Sequence, residues 1–216
     1  DVYKRQAGGL VGENRQVAGS GGTVTNSSAD VRLTASIASN AEGGVGGLVG
    51  VNHQGLIAGS SSSGTVSSGD SYSYKGTNLG GLVGYNQGGR IEGSQSSTAV
   101  SGNGASHAGG LVGRNESGRI SDSVASGGLL GKNFATAGGL VGLNQDSTLH
   151  NVTASGSVNG GSSLHIGGLV GQNIDGHISL AEAFGLVQGA SNSNVGGLVG
   201  YNAVSYTHLR AHETVL

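Results

Sequence analysis

The sequence predicts an all-β protein: a parallel β-helix, or β-solenoid, of about seven coils of roughly 29 residues, with the right-handed form favoured. Three observations predict it. A Gly-Gly-Leu-Val-Gly-x-Asn unit begins at Gly8, Gly46, Gly80, Gly109, Gly138, Gly167 and Gly196. Further aliphatic columns follow the unit at fixed offsets. Glycine supplies 46 of the 216 residues and proline none. An interior helical glycine costs about 1 kcal/mol, and no 3.6-residue apolar period is present, so helices are disfavoured.

The unit recurs at intervals of 38, 34, 29, 29, 29 and 29 residues. Such spacing describes a coil of constant length with one tolerant loop. Aligned on the first glycine, the twelfth position reads Ile91, Ile120, Leu149 and Ile178, and the twenty-first Val100, Leu129, Val158 and Val187. Each coil therefore carries three apolar points separated by polar Gly/Ser/Asn turns, the pattern of a three-sided coil. Coils stacked strand on strand advance about 4.8 Å each. Ordering one coil's backbone costs about 1–2 kcal/mol per residue, while each buried aliphatic returns about 1.5–3 kcal/mol, so the stacking interface must hold the coil in place.

The asparagine closing the motif stands in every copy: Asn14, Asn52, Asn86, Asn115, Asn144, Asn173 and Asn202. Asparagine tolerates left-handed backbone, bonds its own turn, and can hydrogen-bond from coil to coil, so a structural Asn ladder is expected. The adjacent Leu and Val pose a question, because strand neighbours face opposite sides. Either a bulge turns both inward, or the column from Leu10 to Leu198 forms an outer apolar stripe. A near-copy at Gly127–Asn133 reads as a second face that uses the same solution.

The chain divides into residues 1–6, 7–203 and 204–216. Only the middle segment follows the repeat. DVYKRQ and SYTHLRAHETVL resemble translated sequencing-adapter read-through at the ends of metagenomic reading frames, and both tails are expected to be non-native. The absence of methionine, even at position 1, suggests a fragment or processed piece.

Chemistry is sparse. A net charge of −2 suggests neither nucleic acid nor an anionic membrane as partner. No cysteine is available for disulfides, thiolate metal sites or nucleophilic catalysis. No apolar run approaches 18 residues, so no membrane insertion is expected. His208, His212 and Glu213 match no zinc-protease spacing. His53, His107, His150, His165 and His177 read as solvated loop histidines. Asp146 and Asp175 share a column and are the nearest approach to a carboxylate pair, but the Gly-Gly-x-Gly-x-Asp calcium repeat is absent. The glycine motif lacks the Gly-Lys-Ser/Thr of a phosphate loop. No catalytic residue, metal or cofactor is expected, and the chain reads as a non-enzyme.

The motif's variable residue (Glu13, Val51, Tyr85, Arg114, Leu143, Gln172, Tyr201) reads as outward-facing. Tyr72, Tyr74 and Lys75, in the longer loop of the second unit, are the candidate recognition residues, because loops carry function on solenoids.

Gly-Gly-Leu-Val-Gly-x-Asn resembles the GLUG motif of bacterial surface proteins, in which Gly-Leu-aliphatic-Gly recurs in tandem. The resemblance covers about Ala7 to Ala203. Such repeats occur in large secreted adhesins of the filamentous-haemagglutinin-like kind, and in surface-bound immunoglobulin-A-cleaving metallopeptidases outside their catalytic domains. It implies an extracellular structural or adhesive segment, with host or neighbouring-cell surface molecules and flanking repeats of the same polypeptide as partners. The alternative is a non-catalytic accessory region of a secreted hydrolase. The resemblance brings no catalytic residue with it.

Overall fold

The computed structural model describes residues 6–16, 21–35, 43–68 and 77–203. Both tails except Gln6, and the candidate loop residues Tyr72, Tyr74 and Lys75, lie outside the described residues.

Every unit folds the same way. In the fourth, a short strand His107–Gly109 makes the first face, and Gly110 and Leu111 turn a corner into the second, Val112–Glu116. A tight turn then leads to a third side built from Arg119–Ala125 and Leu129–Lys132. Equivalent strands pair in parallel along the stack, with Ile91 opposite Ile120 and Val100 opposite Leu129. The first two faces are seven-stranded sheets, and the third is one thirteen-stranded sheet. Seven units thus give six full turns. Among the described residues the seventh supplies only Asn194–Gly196 and Val199–Ala203.

The corner answers the question left by Leu-Val: both side chains are inside. Leu48, Val49, Leu82, Val83, Leu111, Val112, Leu140, Val141, Leu169 and Val170 are all fully buried. The backbone explains how. Leu111 N–H and Val112 N–H both donate to Leu140 O, at 2.9 and 3.0 Å, and each neighbouring step repeats the arrangement. Two successive amides aimed at one carbonyl break the strand's alternation, so two successive side chains enter the core. There is no outer leucine stripe. Only Leu10 and Leu198, on the terminal coils, are exposed.

The near-copy at Gly127–Asn133 does not share this corner. Leu129 is 2% exposed and Leu130 62%, the ordinary alternation of a strand.

The interior divides into two cores. One joins the motif's Leu and Val to the twelfth-position column, as in Leu111, Val112 and Ile120. The other joins the first face to the twenty-first-position column, as in Ala108, Ala137, Leu129 and Val158, with Phe134 its largest fully buried side chain. Between them lies a waist where the motif's second glycine meets a small residue across the coil. A Cβ on Gly110 would stand 3.2 Å from Ala125 Cβ, and one on Gly139 3.1 Å from Ala154 Cβ. The facing residue is Ser62, Ser96, Ala125, Ala154 or Ala183 in successive units, and Ser62 Oγ donates to Gly81 O at 2.8 Å.

Two columns of left-handed residues make the turns around the third side. The ninth position holds Gln54, Gly88, Ser117, Asp146 and Asp175, and the fourteenth holds Asn26, Gly59, Gly93, Asp122, Asn151 and Leu180, all with φ between 48° and 63°. Asp146 and Asp175 share a column because short polar side chains tolerate this backbone. Leu180 does not belong there. It is 69% exposed at φ 48°, so it carries the strain with no burial to offset it. Leu180→Asn is expected to raise stability by about 1 kcal/mol in chemical denaturation. A loss of stability would show that the side chain packs in a way its exposure denies.

Candidate functional surface

The seven asparagines lie in one column along the second face and form a continuous hydrogen-bonded ladder. Nδ2 of each donates to Oδ1 of the next: Asn14 to Asn52 at 2.7 Å, Asn52 to Asn86 at 2.8 Å and Asn86 to Asn115 at 2.7 Å. Asn115 to Asn144 follows at 2.9 Å, then Asn144 to Asn173 and Asn173 to Asn202 at 2.8 Å each. The second Nδ2 hydrogen of Asn52, Asn86 and Asn173 reaches the carbonyl three residues on, that of Gly55, Gly89 and Gly176. Asn52, Asn86, Asn115 and Asn144 are fully buried, so each ladder bond satisfies a group that water cannot reach. The asparagines are strand residues here. The left-handed residue of the turn stands two positions later.

A serine column accompanies the ladder, and the sequence reading missed it. Ser27 N–H donates to Ser60 Oγ, Ser60 N–H to Ser94 Oγ and Ser94 N–H to Ser123 Oγ, each at 3.2 Å. These serines immediately follow the left-handed residue, a regularity visible in the alignment. Val152 takes the place in the next coil, facing Ser123 in register.

The variable motif residue is not simply outward. It enters a seam between the first and second faces, where Tyr85 is 4% and Leu143 5% exposed. Arg114 pairs with Glu116 at 3.1 Å and lies over the Tyr85 ring, whose hydroxyl donates to the same carboxylate. Further along, His165 stacks on Tyr201 with ring centroids 4.7 Å apart, and Gln6 Nε2 donates to Glu13 at 2.8 Å.

The five described histidines are strand residues, not loop residues. His107 and His165 are separated in their column by Thr136, and His107 Nδ1 lies 2.8 Å from Thr136 Oγ1. Burial, with the Arg114 charge adding to it, pushes the His107 imidazole down to about 3; burial also lowers His165. The folded protein therefore holds His107 neutral, whereas the unfolded chain protonates at the ordinary 6.5. This contribution to stability is complete above pH 6.5 and is lost as pH falls toward 3. At pH 4.5, two units below the unfolded value, the loss is about 3 kcal/mol, from about 1.4 kcal/mol per unit. Comparing denaturation near pH 7 and pH 4.5 should show that His107→Asn, the residue already present at Asn78 and Asn194 in this column, removes that part of the acid sensitivity. An equal loss in both proteins would reject it.

Outside, an open polar groove of about 650 Å³ crosses the third side, lined by Arg90, Glu92, Arg119, Asp122 and Asp146. Its charges are mixed, and Arg90 is already paired with Glu92. A second, more apolar groove of about 430 Å³ lies between Leu130 and Leu186. Among the described residues no group of three His, Cys, Asp or Glu side chains is placed to hold a metal ion.

Four segments of the chain, residues 41–67, 75–101, 104–129 and 135–159, match the family model described as the GLUG motif. No curated protein and no solved structure matches the chain.

Proposed function

Residues 41–159 are a GLUG-repeat region, and from that premise we propose that this β-solenoid is the structural and adhesive rod of a secreted or cell-surface bacterial protein. GLUG repeats on a β-solenoid fit a repeat region of a surface or secreted protein. The adhesive role is the further step.

The observation that carries it is the division of labour along each turn. Conserved spacing, glycine corners and the Asn ladder are spent on stacking, while the extra length of the second unit falls in a single place, between the strands Ser61–Ser68 and Thr77–Gly80. A solenoid varies its loops without disturbing its ladders, and loops are where such a rod recognises a partner. On this reading the chain has no catalytic residue of its own, and Tyr72, Tyr74 and Lys75 contact host or neighbouring-cell surface molecules.

The test is adhesion of beads coated with the full chain to a cell monolayer. Replacing Tyr72, Tyr74 and Lys75 together by alanine should cut bead retention several-fold and leave the circular dichroism unchanged. Retention equal to that of the parent chain would refute the loop assignment. Retention by neither protein, beyond uncoated beads, would refute adhesion and leave the rod as a spacer.

A further inference from the structure

Asn-x-Ser/Thr, the acceptor sequence for a sugar on an asparagine carboxamide, occurs three times: Asn26-Ser27-Ser28, Asn115-Glu116-Ser117 and Asn151-Val152-Thr153. The fold treats the three differently. Asn115 is fully buried in the ladder, its Nδ2 donating to Asn144 Oδ1 at 2.9 Å. Asn26 and Asn151 stand at the fourteenth position, on a left-handed turn of the third side, with φ 48° and 51°. Both are exposed. That exposure belongs to the column and not to an end of the stack. Asp122 and Asn151, each in a strand paired with a coil on either side, are exposed alike.

The hydroxyl of each acceptor sequence shares a column as well. Ser28 and Thr153 are in register through Ser61, Gln95 and Val124. The turn does not call for a hydroxyl there, since Gln95, Val124 and Glu182 hold the same place in other coils. Nor does it call for asparagine, since Gly59, Gly93, Asp122 and Leu180 make the same turn. Yet both coils that put asparagine at this turn put a hydroxyl two residues on. Asn151 Nδ2 donates to Asp122 Oδ1 at 2.7 Å, an exposed bond that water can replace.

We propose that Asn26 and Asn151 are acceptor sites for N-linked glycosylation from a nucleoside-diphosphate hexose, and that Asn115 is barred from it by the stack. In the transfer the carboxamide nitrogen bonds to the anomeric carbon of the sugar. The anomeric C–O bond to the diphosphate breaks, the nucleoside diphosphate leaves with the electron pair, and the amide gives up one proton. No oxidation or reduction is involved. A sugar on Asn115 would displace both the Asn144 bond and the coil that makes it. The two open sites lie four coils apart, about 19 Å along the rod at about 4.8 Å per coil, so both sugars stand on one line of the third side. The proposal rests on the secreted or cell-surface reading, in which such an acceptor marks an outward-facing turn.

The experiment incubates the folded full chain with UDP-glucose and a soluble glycosyltransferase that acts on Asn-x-Ser/Thr, then reads its peptides by mass spectrometry. One hexose is expected at Asn26 and one at Asn151, with none at Asn115. A chymotryptic digest of the chain, treated in the same way, should take hexose at Asn115 too, which assigns its protection to burial. Thr153→Val should lose the sugar at Asn151 and keep it at Asn26, and Ser28→Ala should do the reverse, with circular dichroism unchanged in both. A folded chain that takes no hexose at Asn26 and Asn151 overturns the proposal. So does labelling of Asn115 in the folded chain to the same extent as Asn151. Bead retention is measured on chain that has met no sugar donor, so loss of the acceptor sites and loss of adhesion are separate results.

Discussion

Gly110→Ala should cost about 3 kcal/mol or more, while Gly197→Ala should change stability by less than about 0.5 kcal/mol. The two glycines occupy the same place in the motif and receive the same methyl group. A Cβ on Gly110 would stand 2.2 Å from Gly139 O and 3.2 Å from Ala125 Cβ. The first of these is backbone held in a ladder, so relief requires the fourth and fifth coils to separate. A Cβ on Gly197 has open space. The difference isolates the coil stacked above from any intrinsic preference for glycine, since alanine lowers the unfolded chain's entropy equally at both sites. Urea denaturation of the two variants, followed by circular dichroism, checks it. Equal effects would mean that the waist between the two cores does not constrain the stack.

Asn115→Ala is expected to cost about 2–4 kcal/mol, and Asn202→Ala less than about 1 kcal/mol. Asn115 is fully buried, accepts from Asn86 and donates to Asn144. Truncation leaves Asn144 Oδ1 without its donor, which costs about 1–3 kcal/mol for a buried polar group, and adds the lost packing of the removed atoms. Asn202 has one ladder neighbour and an exposed side chain, so water replaces what it loses. Denaturation midpoints that fall equally for both would mean that the asparagines act singly and not as a ladder.

Which parts of this design are legible in the sequence follows from what repeats chemically. The twelfth- and twenty-first-position columns are visible because each needs a buried aliphatic in every coil, and stacking forces equal spacing. The asparagine is visible because no other side chain both donates to and accepts from a copy of itself in this geometry while closing its turn. The corner is not legible. Leu111 and Val112 look like strand neighbours, and nothing in their identity reveals that their amides converge on one carbonyl. In the near-copy, Leu129 and Leu130 alternate in and out, because that segment lies within a pairing strand and not at a bend.

The left-handed columns are hidden for a different reason. Gln54, Gly88, Ser117, Asp146 and Asp175 share a backbone angle, not a chemistry. Read by side chain alone, Asp146 and Asp175 resemble a carboxylate pair when they are turn residues. His107 is misread as solvated because its burial comes from a seam between two faces. Only the corner's glycines bring those faces close, and a column containing Gly44, Asn78, Thr136 and Asn194 carries no apolar signal.

Hydrogen exchange of the asparagine side-chain amides, resolved residue by residue by nuclear magnetic resonance, tests the stacked-coil account most directly. The account predicts slow exchange at Asn52, Asn86, Asn115 and Asn144, where the amide is buried and both of its neighbours in the ladder are present. It predicts much faster exchange at Asn202, whose side chain is exposed. Side-chain amides that all exchange at the rate of free asparagine would contradict it, because no in-register stack of these coils leaves that column open to water.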